Sequence, residues 1–131
     1  MTISLAGRSA LVALLTVFLT LAACSKSAPP FQFETTTPEL MMGAGTVEVH
    51  LKNTLSGVIV EDAVITATRL DMEPMGMKEM TSPIEPQGTS TPGTYRFGGN
   101  FKMVGQWQLT LSAQVPGQPQ PVQGIVVFNV K

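Results

Sequence analysis

The chain predicts an all-β fold, an antiparallel β-sandwich of about seven strands, and three observations carry that prediction. Short segments alternate apolar and polar residues, most strictly at 46–52 and 106–115, which is the period of a strand with one buried face. Twelve glycines and ten prolines cluster between those segments, where they supply turns and oppose helix. The long β-branched stretch 58–70 favours strand over helix.

The first 23 residues read as a signal peptide rather than part of the fold. Arg8 precedes an apolar run, 10–21, of about 12 residues, short of the roughly 20 that a membrane-spanning helix needs. The run ends in Leu21-Ala22-Ala23-Cys24 followed by Ser25, which resembles the lipobox of bacterial lipoproteins. That resemblance implies lipidation of Cys24 and anchoring in the bacterial cell envelope, on the outer membrane facing the periplasm if the organism is Gram-negative. Cys24 is also the only cysteine, and an unpaired thiol in an exported protein acquires a role if it carries lipid. Residues 24–30 then form the lipidated Cys and a tether ending in Pro29-Pro30, and 31–131 form one domain without a disulfide.

Along that domain, 31–36 alternates and opens the sheet, and 38–45 reads as a connection carrying Leu40, Met41 and Met42. The cleanest strand, 46–52, turns Val47, Val49 and Leu51 inward and Glu48, His50 and Lys52 outward. A turn at 53–57 leads to a short strand or loop and then a longer strand, 63–70. After the Met-rich segment, 82–93 reads as a loop with three prolines and two glycines, 94–97 as a strand, and Gly98-Gly99-Asn100 as a break or bulge. Trp107, Leu109, Leu111, Ala113 and Val115 share one face of the next strand, which makes Trp107 a central core residue; 116–121 is a polar loop and 122–130 the closing strand. With seven or so strands and such turns, the immunoglobulin-like arrangement is the expected form of the sandwich.

The chemistry concentrates in Asp71-Met72-Glu73-Pro74-Met75-Gly76-Met77-Lys78-Glu79-Met80, which puts four thioethers into ten residues. Thioether sulfur is soft and needs no deprotonation, so such a run suits Cu(I). It equally suits adaptable apolar packing or a partner-binding surface. A turn at Pro74 and Gly76 would gather the sulfurs around one ion, with Asp71, Glu73 and Glu79 offsetting its charge. Met103, just before the Trp107 strand, is a further ligand candidate. His50, the only histidine, reads as a solvated surface residue, and Met41 and Met42 as packing.

Several segments together resemble the YtkA-like and FixH-like group of exported bacterial domains: Glu61-Asp62-Ala63-Val64-Ile65-Thr66-Ala67, the Met segment, Pro92-Gly93-Thr94-Tyr95-Arg96-Phe97, and Met103-Val104-Gly105-Gln106-Trp107-Gln108-Leu109-Thr110-Leu111. The resemblance spans about 45–130 and implies an immunoglobulin-like sandwich associated with copper or other heavy-metal handling. Members often carry His near the Met segment, and none stands between Met72 and Met80 here. That departure disfavours Cu(II) and leaves Cu(I), with Met72, Met75, Met77, Met80 and Met103 as the metal candidates.

One His and one Cys, the latter assigned to lipid, exclude a His/Cys zinc cluster of the usual composition. Neither G-x-S-x-G, a Walker loop nor G-x-G-x-x-G occurs, and the carboxylates are scattered, so no enzyme is expected. A formal net charge of −1, without a basic patch, excludes nucleic acid as a partner. Two functions remain: a lipid-anchored domain that binds or buffers Cu(I) and serves copper handling with an envelope partner, or a non-metal module that docks a protein partner.

Overall fold

Alternation of apolar and polar residues gives each strand one face to hide, and in the computed structural model those faces meet between two sheets. The structure describes residues 30–89 and 91–131; the signal peptide, Cys24 and residues 25–29 of the tether lie outside them. Nine strands occur in the order β1 (Phe31–Thr35), β2 (Glu39–Leu40), β3 (Gly43–Asn53), β4 (Val64–Met72), β5 (Met77–Ser82), β6 (Ile84–Pro86), β7 (Thr94–Phe101), β8 (Gly105–Gln114) and β9 (Val122–Val130). One sheet runs β1-β3-β7-β6 and the other β2-β9-β8-β4-β5. Setting aside the edge strands β2 and β5, these are the four-plus-three sheets of an immunoglobulin-like sandwich. Every pairing is antiparallel except β2 on β9.

The inward residues fall where alternation puts them. Val47, Val49 and Leu51 on β3, Phe97 and Phe101 on β7, Trp107, Leu109, Leu111 and Ala113 on β8, and Val126, Phe128 and Val130 on β9 form one buried core. Phe101 stands edge-on to both Trp107 and Phe128, at centroid distances of 6.0 and 5.6 Å, the geometry that aromatic quadrupoles favour. The Trp107 indole donates to the Met103 carbonyl at 3.0 Å, which pins the turn before β8.

Four expectations need correction. The connection at 38–45 contains β2 and the start of β3, because the edge of β9 offers unpaired backbone groups: Asn129 N–H donates to Pro38 O and Lys131 N–H to Leu40 O, both at 2.9 Å. The loop at 82–93 holds β6, where Pro86 is tolerated because the strand is an edge. No break occurs at Gly98-Gly99-Asn100; β7 runs through it, and the missing side chains make room for neighbours. A methyl on Gly98 would collide with the Gln87 side chain, and one on Gly99 would lie 3.5 Å from Cζ of Phe101. Finally, the Met segment, expected only to turn at Pro74 and Gly76, is mostly strand: Met72 ends β4, and Met77 and Met80 belong to β5.

The two ends of the sandwich differ. Pro30, the turn after β3 and the β8–β9 turn lie at one end; the β4–β5 turn, the β7–β8 turn and Met42 lie at the other. β3, 11 residues long, spans the distance between them, roughly 35 Å at about 3.3 Å per residue.

Candidate functional site

The Met segment is the tip of a β-hairpin. β4 and β5 are joined by a single 3-10 turn, Glu73–Met75, with Pro74 in its first positions. Gly76 closes it at φ 74°, a left-handed conformation that glycine adopts freely, and its N–H donates to Glu73 O at 2.8 Å. Met72 and Met77 are cross-strand partners, so their side chains share a face, and that face is the core. Met72 is 0% exposed, Met77 packs partly buried against the core, and Met75, on the turn, is 49% exposed.

Gly105 lies beneath this hairpin. A methyl on Gly105 would stand 3.1 Å from Cε of Met72 and 3.6 and 3.8 Å from Cγ and Cε of Met75. Two thioether side chains, one from the end of β4 and one from the turn, therefore converge on the one residue of β8 that offers no side chain. Met103, two residues earlier, is half-buried against the same core. Met80 departs from the group. The β4–β5 register shifts between Asp71 and Met72, so that 78–80 bulge between the paired positions Met77 and Thr81, and Met80 is 40% exposed. Of the five metal candidates, Met72 and Met75 meet over Gly105, Met77 and Met103 flank them, and Met80 stands apart.

In the sequence Asp71 reads only as a neighbouring charge. It is 1% exposed, the one buried charged residue among those described. Its Oδ2 accepts from Arg69 Nε at 2.9 Å and its Oδ1 from the Glu73 backbone N–H at 3.0 Å, while Arg69 Nη2 donates onward to Lys78 O at 3.0 Å. One carboxylate thus caps the 3-10 turn and ties both hairpin strands to it. The available signal was Arg69 two residues away, on the same face of the strand. Glu73 carries the network to β8, accepting from Gln108 Nε2 at 3.1 Å.

The other singled-out residues lie elsewhere. His50 is half-buried, its Nε2 3.1 Å from Thr94 Oγ1 on the neighbouring strand, far along β3 from the hairpin. Met41 and Met42 are 73% and 57% exposed, so they do not fill the core as expected; they lie past the short strand β2, beside the end of β9. Among the described residues no three His, Cys, Asp or Glu side chains cluster to hold a metal ion.

A family model described as YtkA-like matches residues 26–112, which is more than half of the chain and includes the hairpin, Gly105 and Trp107. The chain belongs to the YtkA-like family. The matched residues begin before β1 and run through most of β8. No curated protein matches this YtkA-like chain. Among solved structures it is similar to the Lin-41 filamin domain, at 14% identity over 80% of this chain and 95% of that one, with a TM-score of 0.46. It is also similar to the ZirS C-terminal domain, at 9% identity over 99% and 87%, with the same TM-score of 0.46.

Proposed function

We propose that this YtkA-like domain is a non-catalytic, lipid-anchored envelope protein that holds Cu(I) at its Met hairpin and serves copper handling. The observation that carries the reading is the convergence of Met72 and Met75 over Gly105. Met75 is the exposed ligand through which the ion enters and leaves; Met72 is the inner one, with Met77 and Met103 as the flanking thioethers and Met80 outside the set. The donor set fits a soft monovalent ion, since thioethers are neutral and His50, the one histidine, lies at the other end of β3. Neutral ligands leave the positive charge of the ion to Glu73 on the turn, because the Asp71 carboxylate is already paired with Arg69. In this reading Cys24 carries the lipid.

Competition for Cu(I) against a chelator tests this. Met75→Leu keeps the volume and, being exposed, leaves the fold intact; it should weaken binding about tenfold, or ~1.4 kcal/mol. Unchanged affinity in Met75→Leu and in a Met72→Leu, Met75→Leu, Met77→Leu triple variant would remove the copper function.

A second reading rests on a different observation. Met41, Met42, Val104 and Met75 are all exposed along the same end of the sandwich, and flexible apolar side chains of this kind serve adaptable docking. A protein partner captured by amine cross-linking through Lys102, at the same end, under copper depletion, and lost in Met42→Glu, would favour a non-metal docking module.

A further inference from the structure

At the end opposite the Met hairpin, the chain enters β1 beside the turn that follows β3: Thr54 N–H donates to Pro30 O at 2.9 Å. That turn presents Leu55 at 87% exposure and Val58 at 62%, the former the most exposed large apolar residue among those described. The turn is firmly built. Asn53 Oδ1 accepts from Leu55 N–H at 2.9 Å and Ser56 N–H at 3.2 Å, Gly57 N–H donates to Asn53 O at 2.8 Å, and Ser56 Oγ accepts from Val58 N–H at 3.3 Å. Two apolar side chains are thus held out in water on a pre-organised loop tip rather than left on a random excursion.

The position of this tip relative to Cys24 gives it a partner. Five residues, 25–29, separate Cys24 from Pro30, and the six steps between them, at no more than about 3.6 Å each, reach roughly 20 Å. A domain anchored through Cys24 therefore cannot carry Leu55 far from the bilayer. We infer that Leu55 and Val58 insert into the lipid interface and that this end of the sandwich rests on the membrane, which directs the Met hairpin away from it. The inference rests on the lipid-anchor reading of Cys24. The contact is apolar rather than electrostatic: Glu61 and Asp62, exposed beside Val58 along a cleft of about 790 Å³, would repel anionic headgroups. Two apolar side chains bind weakly alone, so the anchor's effective concentration is what holds them in place.

The full lipidated protein, reconstituted in phosphatidylcholine vesicles with brominated acyl chains, tests this. Acylated Cys24 has no free thiol, so Ser56→Cys provides a single site for a fluorophore between Leu55 and Val58, and Lys102→Cys provides the control at the far end. Bromolipid quenching should be at least about twofold stronger at 56 than at 102, unchanged by an added anionic lipid fraction, and abolished by Leu55→Asp with Val58→Asp. Equal quenching at both sites, or quenching at 56 that survives the double substitution, overturns the inference while leaving the anchor in place. Absence of acyl mass on Cys24 by mass spectrometry overturns the anchor reading and the inference with it. Loss of vesicle dependence in favour of self-quenching between labelled copies would assign the tip to a protein contact instead.

Discussion

Asp71→Ala tests whether one buried carboxylate builds the hairpin. The substitution deletes two acceptors at once: the partner of the Glu73 N–H, which opens the 3-10 turn, and the partner of Arg69 Nε. A part-buried backbone donor left without its acceptor costs ~1–3 kcal/mol. The Arg69 contribution is smaller, ~0–1 kcal/mol, because its side chain is 49% exposed and can turn to water once released. Together these give a loss of about 1–4 kcal/mol, or a fall in Tm of roughly 5–25 °C for a domain of this size. Asp71→Asn keeps an oxygen for the Glu73 N–H and should lose about half as much. Urea denaturation of the purified protein gives the free energy, and hydrogen exchange at the Glu73 amide gives the locality: protection there should fall in Asp71→Ala before the core strands lose theirs. A stability within about 0.5 kcal/mol of the parent, or unaltered exchange at Glu73, would show that the turn is held by its own backbone and that the carboxylate is incidental.

Trp107→Ala removes the ring that packs edge-on to Phe101 and the donor that holds the Met103 carbonyl, and should cost roughly 3–5 kcal/mol by thermal denaturation. Gly105→Ala sets a side chain at φ +132° with its methyl 3.1 Å from Cε of Met72; a loss of about 1–3 kcal/mol is expected, together with weaker Cu(I) binding. Gly76→Ala, whose methyl meets nothing within 4 Å, should cost only the left-handed strain of ~1 kcal/mol, so it separates crowding at Gly105 from backbone strain. Tyr95 donates to Val60 O at 2.8 Å and accepts from Ala63 N–H at 3.0 Å; burial raises its pKa above the usual 10.0, with Asp62 and Glu61 adding to the rise. The folded state then keeps the phenolic proton while the unfolded chain loses it, so this contribution is full below pH 10 and declines above it until the folded phenol titrates. Tyr95→Phe should flatten that alkaline decline in a stability–pH profile and cost about 1–3 kcal/mol at neutral pH, because Ala63 N–H loses its acceptor.

Strands whose burial is one-sided were legible in the sequence because alternation is a direct image of the pleat. Val47, Val49 and Leu51, and the row from Trp107 to Val115, are buried as their spacing requires. What escaped was set by partners distant in sequence. β2 carries no pattern of its own in two residues and exists because β9 has an open edge. The Gly98-Gly99 pair reads locally as a break, yet β7 runs through it and the Gln87 side chain lies where a Gly98 methyl would stand. Pro74 and Gly76 predict a turn within the Met segment and do not reveal that Met72 and Met77 would close it as a facing pair. Asp71 escaped for a related reason: an acid between Leu70 and Met72 reads as an outward residue of a strand, and only the turn folding back over it makes it buried.

The burial gradient across the hairpin constrains any function assigned to it. Four buried thioethers would make a good core and a poor exchange site, whereas four exposed ones would bind without fixed geometry. Here Met72 is fully enclosed and fixed by packing, so its terminal methyl and sulfur hold one position, while Met75 on the turn is about half exposed and free to change rotamer. Such a pair can order one ligand in advance and leave the other to complete or release coordination, which favours transfer of an ion over its permanent storage. The turn bearing Met75 is tied to Asp71 through the Glu73 N–H. If the hairpin holds Cu(I) as proposed, it should exchange the ion with a partner faster than it loses it to solvent. Stopped-flow transfer to a second thioether peptide should accordingly slow when Met75 becomes Leu, and should be altered less by Met80→Leu, which lies outside the convergence on Gly105.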